Sequence, residues 1–222
     1  MSKLEDGIAG FVTGKIGSVT YYKRNGKYYM RRSIVTNTSK TKKQQSQRGR
    51  FGVAIKAFSP LSEAFRLGFA SQSVGARTGF NAGVGYNMRN ALVQGEEGYS
   101  VDWSLVACSQ GSLPMLEGVS LEGGVESGLV ARWQLSAGAD GRDEVCMAVY
   151  DHETRQCWLA GRGSALRESG VMTVRFPQSY RNHTLEVYLF AVSAKGDEAS
   201  DTVYAGQIVP EKCGYCIRPT SI

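Results

Sequence analysis

The chain has 222 residues, 42% of them hydrophobic and 21% charged, with a formal net charge of +6. Such a length supports a substantial core in one or two domains, and the proportions are those of an ordinary globular protein. Twenty-seven glycines against five prolines argue for many turns and closely approaching strands rather than a helical bundle.

The net charge hides a division. Residues 1–95 carry 16 basic and 3 acidic side chains, a net of +13, whereas residues 96–222 carry 10 and 17, a net of −7. From Gly7 to Ser62 there are twelve Lys or Arg and no Asp or Glu. The opening segment MSKLEDGIAGFVTGKIGS contains no apolar run of the length a signal peptide or a membrane span needs, so synthesis in the cytoplasm is expected, with a virion or other assembly open as the final location. Five cysteines at 108, 146, 157, 213 and 216, odd in number and unevenly spread, fit a reducing compartment.

In chain order, residues 7–35 read as a β-meander punctuated by Gly7, Gly10, Gly14 and Gly17. Ser18 to Lys23 forms a strand, Asn25-Gly26 a tight turn that accepts positive φ at both positions, and Lys27 to Val35 the return strand. Four tyrosines, Tyr21, Tyr22, Tyr28 and Tyr29, alternate here with Lys23, Arg24, Lys27, Arg31 and Arg32. Two readings fit. In one, the rings stack on bases and the cations hold phosphates. In the other, the hairpin turns an aromatic face to a core and a cationic face to water.

The segment around which the chain is organised, TKKQQSQRGRFGVAIKAF from Thr41 to Phe58, is a basic run that becomes amphipathic. Thr41 and Gln44 have capping-box spacing, and Phe51, Val53, Ala54, Ala57 and Phe58 supply an apolar stripe, although Gly49 and Gly52 weaken the helix by about 1 kcal/mol each. Ser59-Pro60 restarts a second short helix through Phe65 to Phe69. A third is expected from Phe80 to Gln94, with Phe80, Val84, Met88 and Ala91 on one face.

From Tyr99 the pattern has period two. Val101, Trp103 and Leu105 alternate with Asp102, Ser104 and Val106, and further strand-like runs lie at 129–135, 144–150, 156–160, 171–176, 185–194 and 201–208. Turns rich in Gly, Asp, Asn and Ser separate most of them, the pattern of an antiparallel β-sandwich of about seven strands. Trp133, Tyr188 and Phe190 are expected between its two sheets. The fold class is therefore α+β: an N-terminal hairpin or meander with two or three helices, then a C-terminal antiparallel β-sandwich. The expected divisions are residues 1–98, a connecting strand and turn over 99–114, the sandwich over 115–209 and a tail over 210–222.

Through LVARWQL, VCMAVYD and LEVYLFAVSAKGDEASDTVYAG, the last hundred residues resemble a fibronectin type III or immunoglobulin-like module. Through GKIGSVTYYKRNGKYYMRR, the TKKQQSQRGRF run, FNAGVGYNMRNAL and DWSLVACSQGSLP, the chain also resembles an uncharacterised family of Bacteroidota proteins, over nearly its whole length to about Gly206. This second resemblance bears on architecture and implies no activity.

No Walker loop, dinucleotide fingerprint, HExxH or nucleophile elbow is present, so the reading is of a non-enzyme with no catalytic residues, cofactor or metal. Cys213 and Cys216 have dithiol spacing, but they sit beside the C-terminus with Pro219 close behind. His152 and His183, each flanked by polar residues, are expected at the surface. The acidic residues Asp140, Asp143, Glu144, Asp151 and Glu153 match no EF-hand spacing and read as a solvated rim. Two functions of different kinds follow. The first is an assembly or structural protein making protein contacts or associating with itself, as in a phage-like particle or cell-associated complex. The alternative is nucleic-acid binding, with Arg24, Lys27, Arg31, Arg32, Lys40, Lys42, Lys43, Arg48 and Arg50 on phosphates and Tyr22 and Tyr29 as stacking rings. No membrane partner is expected.

Overall fold

The computed structural model describes residues 2–4, 13–24, 26–33, 41–96, 98–123, 128–175, 182–211 and 214–218. They fall into two compact units, Met1–Gln47 and Arg48–Ile222. In the first, β1 (Ser2–Leu4), β2 (Gly14–Ile16), β3 (Val19–Arg24) and β4 (Lys27–Arg32) form an antiparallel sheet in the order β1-β4-β3-β2. The expected meander is thus present. Gly26, at φ 76°, turns β3 into β4, and Gly17, at φ 56°, turns β2 into β3. Asn25, Gly7 and Gly10 lie outside the described residues.

Helix α1 spans Lys42–Phe58, and the boundary between the two units falls within it. As the capping-box spacing predicts, Thr41 Oγ1 accepts the Gln44 N–H at 3.3 Å. Burial begins only late in the helix, at Ala54 and Phe58, while Phe51 is exposed. A 3-10 turn at Ser59–Leu61 leads into α2 (Ser62–Gly68), and α3 covers Gly79–Asn90, capped by Thr78 Oγ1. The third helix is shorter than its periodicity implies. Ala91 closes it, and Leu92–Gly95 becomes β5, paired with β6 (Gly98–Val101). The alternation from Tyr99 likewise holds only to Val101. Asp102 Oδ1 accepts Ser104 N–H at 3.0 Å and starts a 3-10 turn, Trp103–Leu105, in place of a continued strand.

The remaining strands are β7 (Glu117–Gly123), β8 (Gly128–Gln134), β9 (Glu144–Asp151), β10 (Gln156–Ala160), β11 (Val171–Arg175), β12 (Leu185–Val192), β13 (Val203–Glu211) and β14 (Gly214–Arg218). They form two antiparallel sheets, β10-β9-β12-β13-β14 and β11-β8-β7. The tail expected from residue 210 onward is thus partly strand, since Pro210 and Glu211 end β13 and β14 pairs with it.

Two apolar clusters flank the five-stranded sheet. Val145, Met147 and Val149 of β9 and Leu185, Val187, Leu189 and Ala191 of β12 bury against Leu129, Ala131, Trp133, Met172 and Val174 of the three-stranded sheet. Cys146, Ala148, Tyr150, Tyr188, Phe190 and Val192, the alternate positions, bury against Ala54, Phe58, Leu61, Phe65 and Phe69 of the helical segment. All eight residues of β12 are consequently buried, the mark of a strand covered on both faces. Trp133 joins the cluster shared by the two sheets, whereas Tyr188 and Phe190, expected with it, belong to the cluster with the helical segment. With both faces of β12 apolar, hydrophobicity alone does not assign a side chain to one of them. The helices share a core with the strands that follow, so the compact units do not coincide with the change of sequence pattern near residue 98.

Polar groups fix the junction. The buried amide of Asn87 donates to Gly83 O and Ala107 O and accepts Ala107 N–H, holding the segment after α3 like a paired backbone. Tyr188 Oη donates to Trp103 O at 2.7 Å, and Gln110 N–H donates to Gly68 O at 3.1 Å.

Candidate functional site

The first candidate surface is on the hairpin sheet. Antiparallel partners share a face and neighbours alternate, so Lys15, Thr20, Tyr22, Arg24, Lys27, Tyr29 and Arg31 occupy one side. Tyr22 and Tyr29 are directly paired, with ring centroids 5.7 Å apart and planes 21° apart, and the Arg31 guanidinium lies 5.8 Å from the Tyr22 centroid. Arg24 and Lys27 pair across the turn end of the same face. Like charges directly opposite each other on a ladder are destabilising. The opposite side holds Ile16, Val19, Tyr21, Lys23, Tyr28, Met30 and Arg32, with Ile16 exposed and the Lys23 ammonium 5.3 Å from the Tyr28 centroid.

Five of the six hairpin residues expected to contact a partner are thus brought together, and Arg32 is not. Lys42, Lys43 and Arg48 are exposed on α1. Arg50 is half-buried and donates to the carbonyl of Met88 in the last turn of α3, where a cation also complements the helix dipole. Its guanidinium is engaged within the fold. Lys40 and Cys213 lie outside the described residues.

The two histidines are not the solvated side chains their neighbours suggest. His152 Nε2 lies 2.9 Å from Glu186 Oε1, and His183 Nδ1 lies 2.8 Å from Asp151 Oδ2. Burial pushes the Glu186 carboxyl up, but hydrogen bonds from His152, Tyr204 and Gln207 outweigh it and bring its pKa below the ordinary value. An ionised carboxylate only accepts, so His152 carries its proton on Nε2. The supposed acidic rim is equally structured. Asp143 and Asp151 are buried, and Asp140, Asp143, Glu144 and Asp151 face Arg142, Arg167, Arg162 and His183 respectively.

Asp151, Glu153 and His183 bring one ligand atom each within 4.8 Å of one another. The oxygens involved already accept hydrogen bonds. Asp151 takes the N–H groups of Glu153 and Thr154, the Thr154 hydroxyl and His183, and Glu153 takes Thr184 N–H. The group serves as a clamp on the β9–β10 turn.

A cavity of about 380 Å³ lies beside the same turn, lined by Val53, Lys56 and Ala57 of α1, Val101, Trp103, Tyr150, His152 and Arg155. Trp103 stacks on Tyr150 at 4.0 Å and 18°, and the His152 ring meets both edge-on at 5.1 and 5.3 Å. Sequence reasoning did not assemble these residues, which come from three separated segments. Arg155, in the turn DHETRQ, has φ 55°, where glycine or asparagine is the usual occupant.

Taken together, the fold is a mostly antiparallel β-protein with a short helical region and a cationic, tyrosine-bearing sheet. The family model described as "Family of unknown function (DUF6266)" matches residues 11–206, and the chain belongs to that family. The match stops short of β14. No curated protein matches the chain. Among the described residues, no helix is long and apolar enough to cross a membrane.

Proposed function

We propose that this protein is a non-enzymatic assembly protein whose hairpin sheet docks on the acidic surface of another copy. The observation that carries this reading is the hairpin sheet itself. Its tyrosines Tyr22 and Tyr29 are half-buried while Arg24, Lys27 and Arg31 are exposed, and a small sheet gains its stability by burying a face against something. One face concentrates Arg24, Lys27 and Arg31 around two tyrosines, the residue types that anchor interfaces. Residues 96–222 carry a net of −7, with exposed carboxylates at Glu117, Glu168 and Asp201. A basic face meeting a different, acidic face is a heterologous contact, which propagates into rings or filaments. A phage-like particle or cell-associated complex is the setting such a contact suits.

The second sheet pair supports a scaffold role. One sheet holds the first, second and fifth strands of the region from residue 117, and the other holds the third, fourth, sixth and seventh, extended by β14. With one apolar cluster drawn from both sheets, we read the region as a fibronectin type III-like sandwich, in line with its sequence resemblance and with that of the chain to Bacteroidota proteins. Hydrogen–deuterium exchange of concentrated against dilute protein at low salt tests the docking. Protection is expected in peptides covering 19–32 and in an acidic peptide beyond residue 96, and exchange identical at both concentrations overturns the proposal.

The Tyr22–Tyr29 pair with Arg31 over one ring favours one other reading, single-stranded nucleic acid held by stacking and phosphate contacts. Fluorescence anisotropy with dT and U oligonucleotides would then show log K falling by about 0.7 per phosphate neutralised as log salt rises. A Tyr22→Ala/Tyr29→Ala variant that binds as wild type does removes this reading.

A further inference from the structure

The cavity beside the β9–β10 turn has a lining that points to a ligand of defined chemistry. Its walls are aromatic, through the stacked Trp103 and Tyr150, and aliphatic, through Val53, Ala57 and Val101. Its charged lining residues are Lys56 and Arg155, both exposed, and neither forms an ion pair among the described residues. No carboxylate lines it. The carboxylate that holds His152, Glu186, is buried and also accepts from Tyr204 and Gln207. That arrangement locks the imidazole with Nε2 turned inward and the ring edge-on to the two aromatic walls. The cavity volume falls within the range of small-molecule sites, about 300–1,000 Å³.

Arg155 supplies an independent sign. It holds φ 55° in a four-residue turn where glycine would sit without strain. Strained non-glycine residues cluster at ligand clamps and active sites, and here the side chain borders the cavity.

We infer that this cavity binds a small planar aromatic anion, its ring against the Trp103–Tyr150 wall and its carboxylate or phosphate between Lys56 and Arg155. Flat rings stack on aromatic walls, and a charge-assisted contact fixes the acidic end. The site lies wholly within residues 48–222, so it stands or falls apart from the hairpin surface.

Adenosine monophosphate and indole-3-acetate, titrated separately, serve as probes of the two sources of such an anion, with adenosine, indole-3-acetamide and inorganic phosphate as controls. The readout is the indole N–H resonance of Trp103, assigned with Trp103→Phe. At least one of the two anions should shift it saturably, and whichever does identifies the ring. The matching neutral compound and bare phosphate should bind at least about tenfold more weakly, the loss of one charge-assisted contact. Lys56→Gln and Arg155→Gly should each weaken binding, while Arg155→Gly leaves Tm unchanged or raised because the turn strain is relieved. No saturable shift with either anion at millimolar concentration overturns the site. So does equal binding of the neutral compounds, or unchanged affinity in both folded variants.

Discussion

Arg167 shows what a single buried side chain can hold. It is fully buried, lies 3.5 Å from Asp143 and donates to the carbonyls of Pro114 and Met115, while its own carbonyl accepts Trp133 Nε1–H at 2.8 Å. Arg167→Ala would strand a buried carboxylate and two carbonyls, so a loss of about 3–5 kcal/mol is expected in urea unfolding. Glu186 gives a pH signature instead. Its folded pKa lies below its ordinary 4.5, so its contribution is present above that value and is lost as pH falls through the folded pKa. Glu186→Gln should cost about 1–3 kcal/mol at neutral pH by leaving inward-facing donors imperfectly matched. The gap from wild type should close below about pH 4.5, the ordinary value for that group, as thermal melts across an acid series will show.

At the scale of elements, glycine has two different meanings in the helices. A Cβ at Gly49 or Gly52 meets nothing within 4 Å, and both positions lie in the exposed part of α1. Ala at each should stabilise the helix by about 0.5–1 kcal/mol, read as increased Tm and helical ellipticity. A Cβ at Gly83 would come 2.6 Å from Phe65 Cγ, inside the packed junction of α2 and α3, so Gly83→Ala should lower Tm. Equal effects at the two places would contradict the packing described. Much of this level was legible beforehand. The strands at 144–151, 156–160 and 171–175 lie where apolar or alternating runs place them, and Thr41 caps α1 as its spacing implies. What escaped was local polar chemistry set against periodicity: Asp102 diverts Trp103–Leu105 from strand to 3-10 turn, and residues 92–95 leave the helix to pair with 98–101.

Within residues 48–222, one apolar cluster joins the helical segment to the five-stranded sheet and a second joins that sheet to β7, β8 and β11. The charge contrast between the ends of the chain was plain in the sequence, but the core it suggested was not. Phe58, Phe65 and Phe69 belong with Tyr188 and Phe190, partners more than a hundred residues away that no local pattern connects. The candidate surfaces divide in the same way. Register gathers Tyr22, Arg24, Lys27, Tyr29 and Arg31 from one hairpin, so a sequence with an evident turn already nearly contains that surface. The Trp103–Tyr150–His152 cavity depends on tertiary packing and was invisible. The proposed self-docking rests on the hairpin face, and sedimentation velocity at low salt tests it most directly, comparing wild type with Arg24→Glu/Lys27→Glu/Arg31→Glu. Wild type should sediment as concentration-dependent oligomers that dissociate as salt rises, and the folded variant as a monomer. A wild type that remains monomeric across the micromolar range, or a variant that assembles equally well, would contradict the proposal.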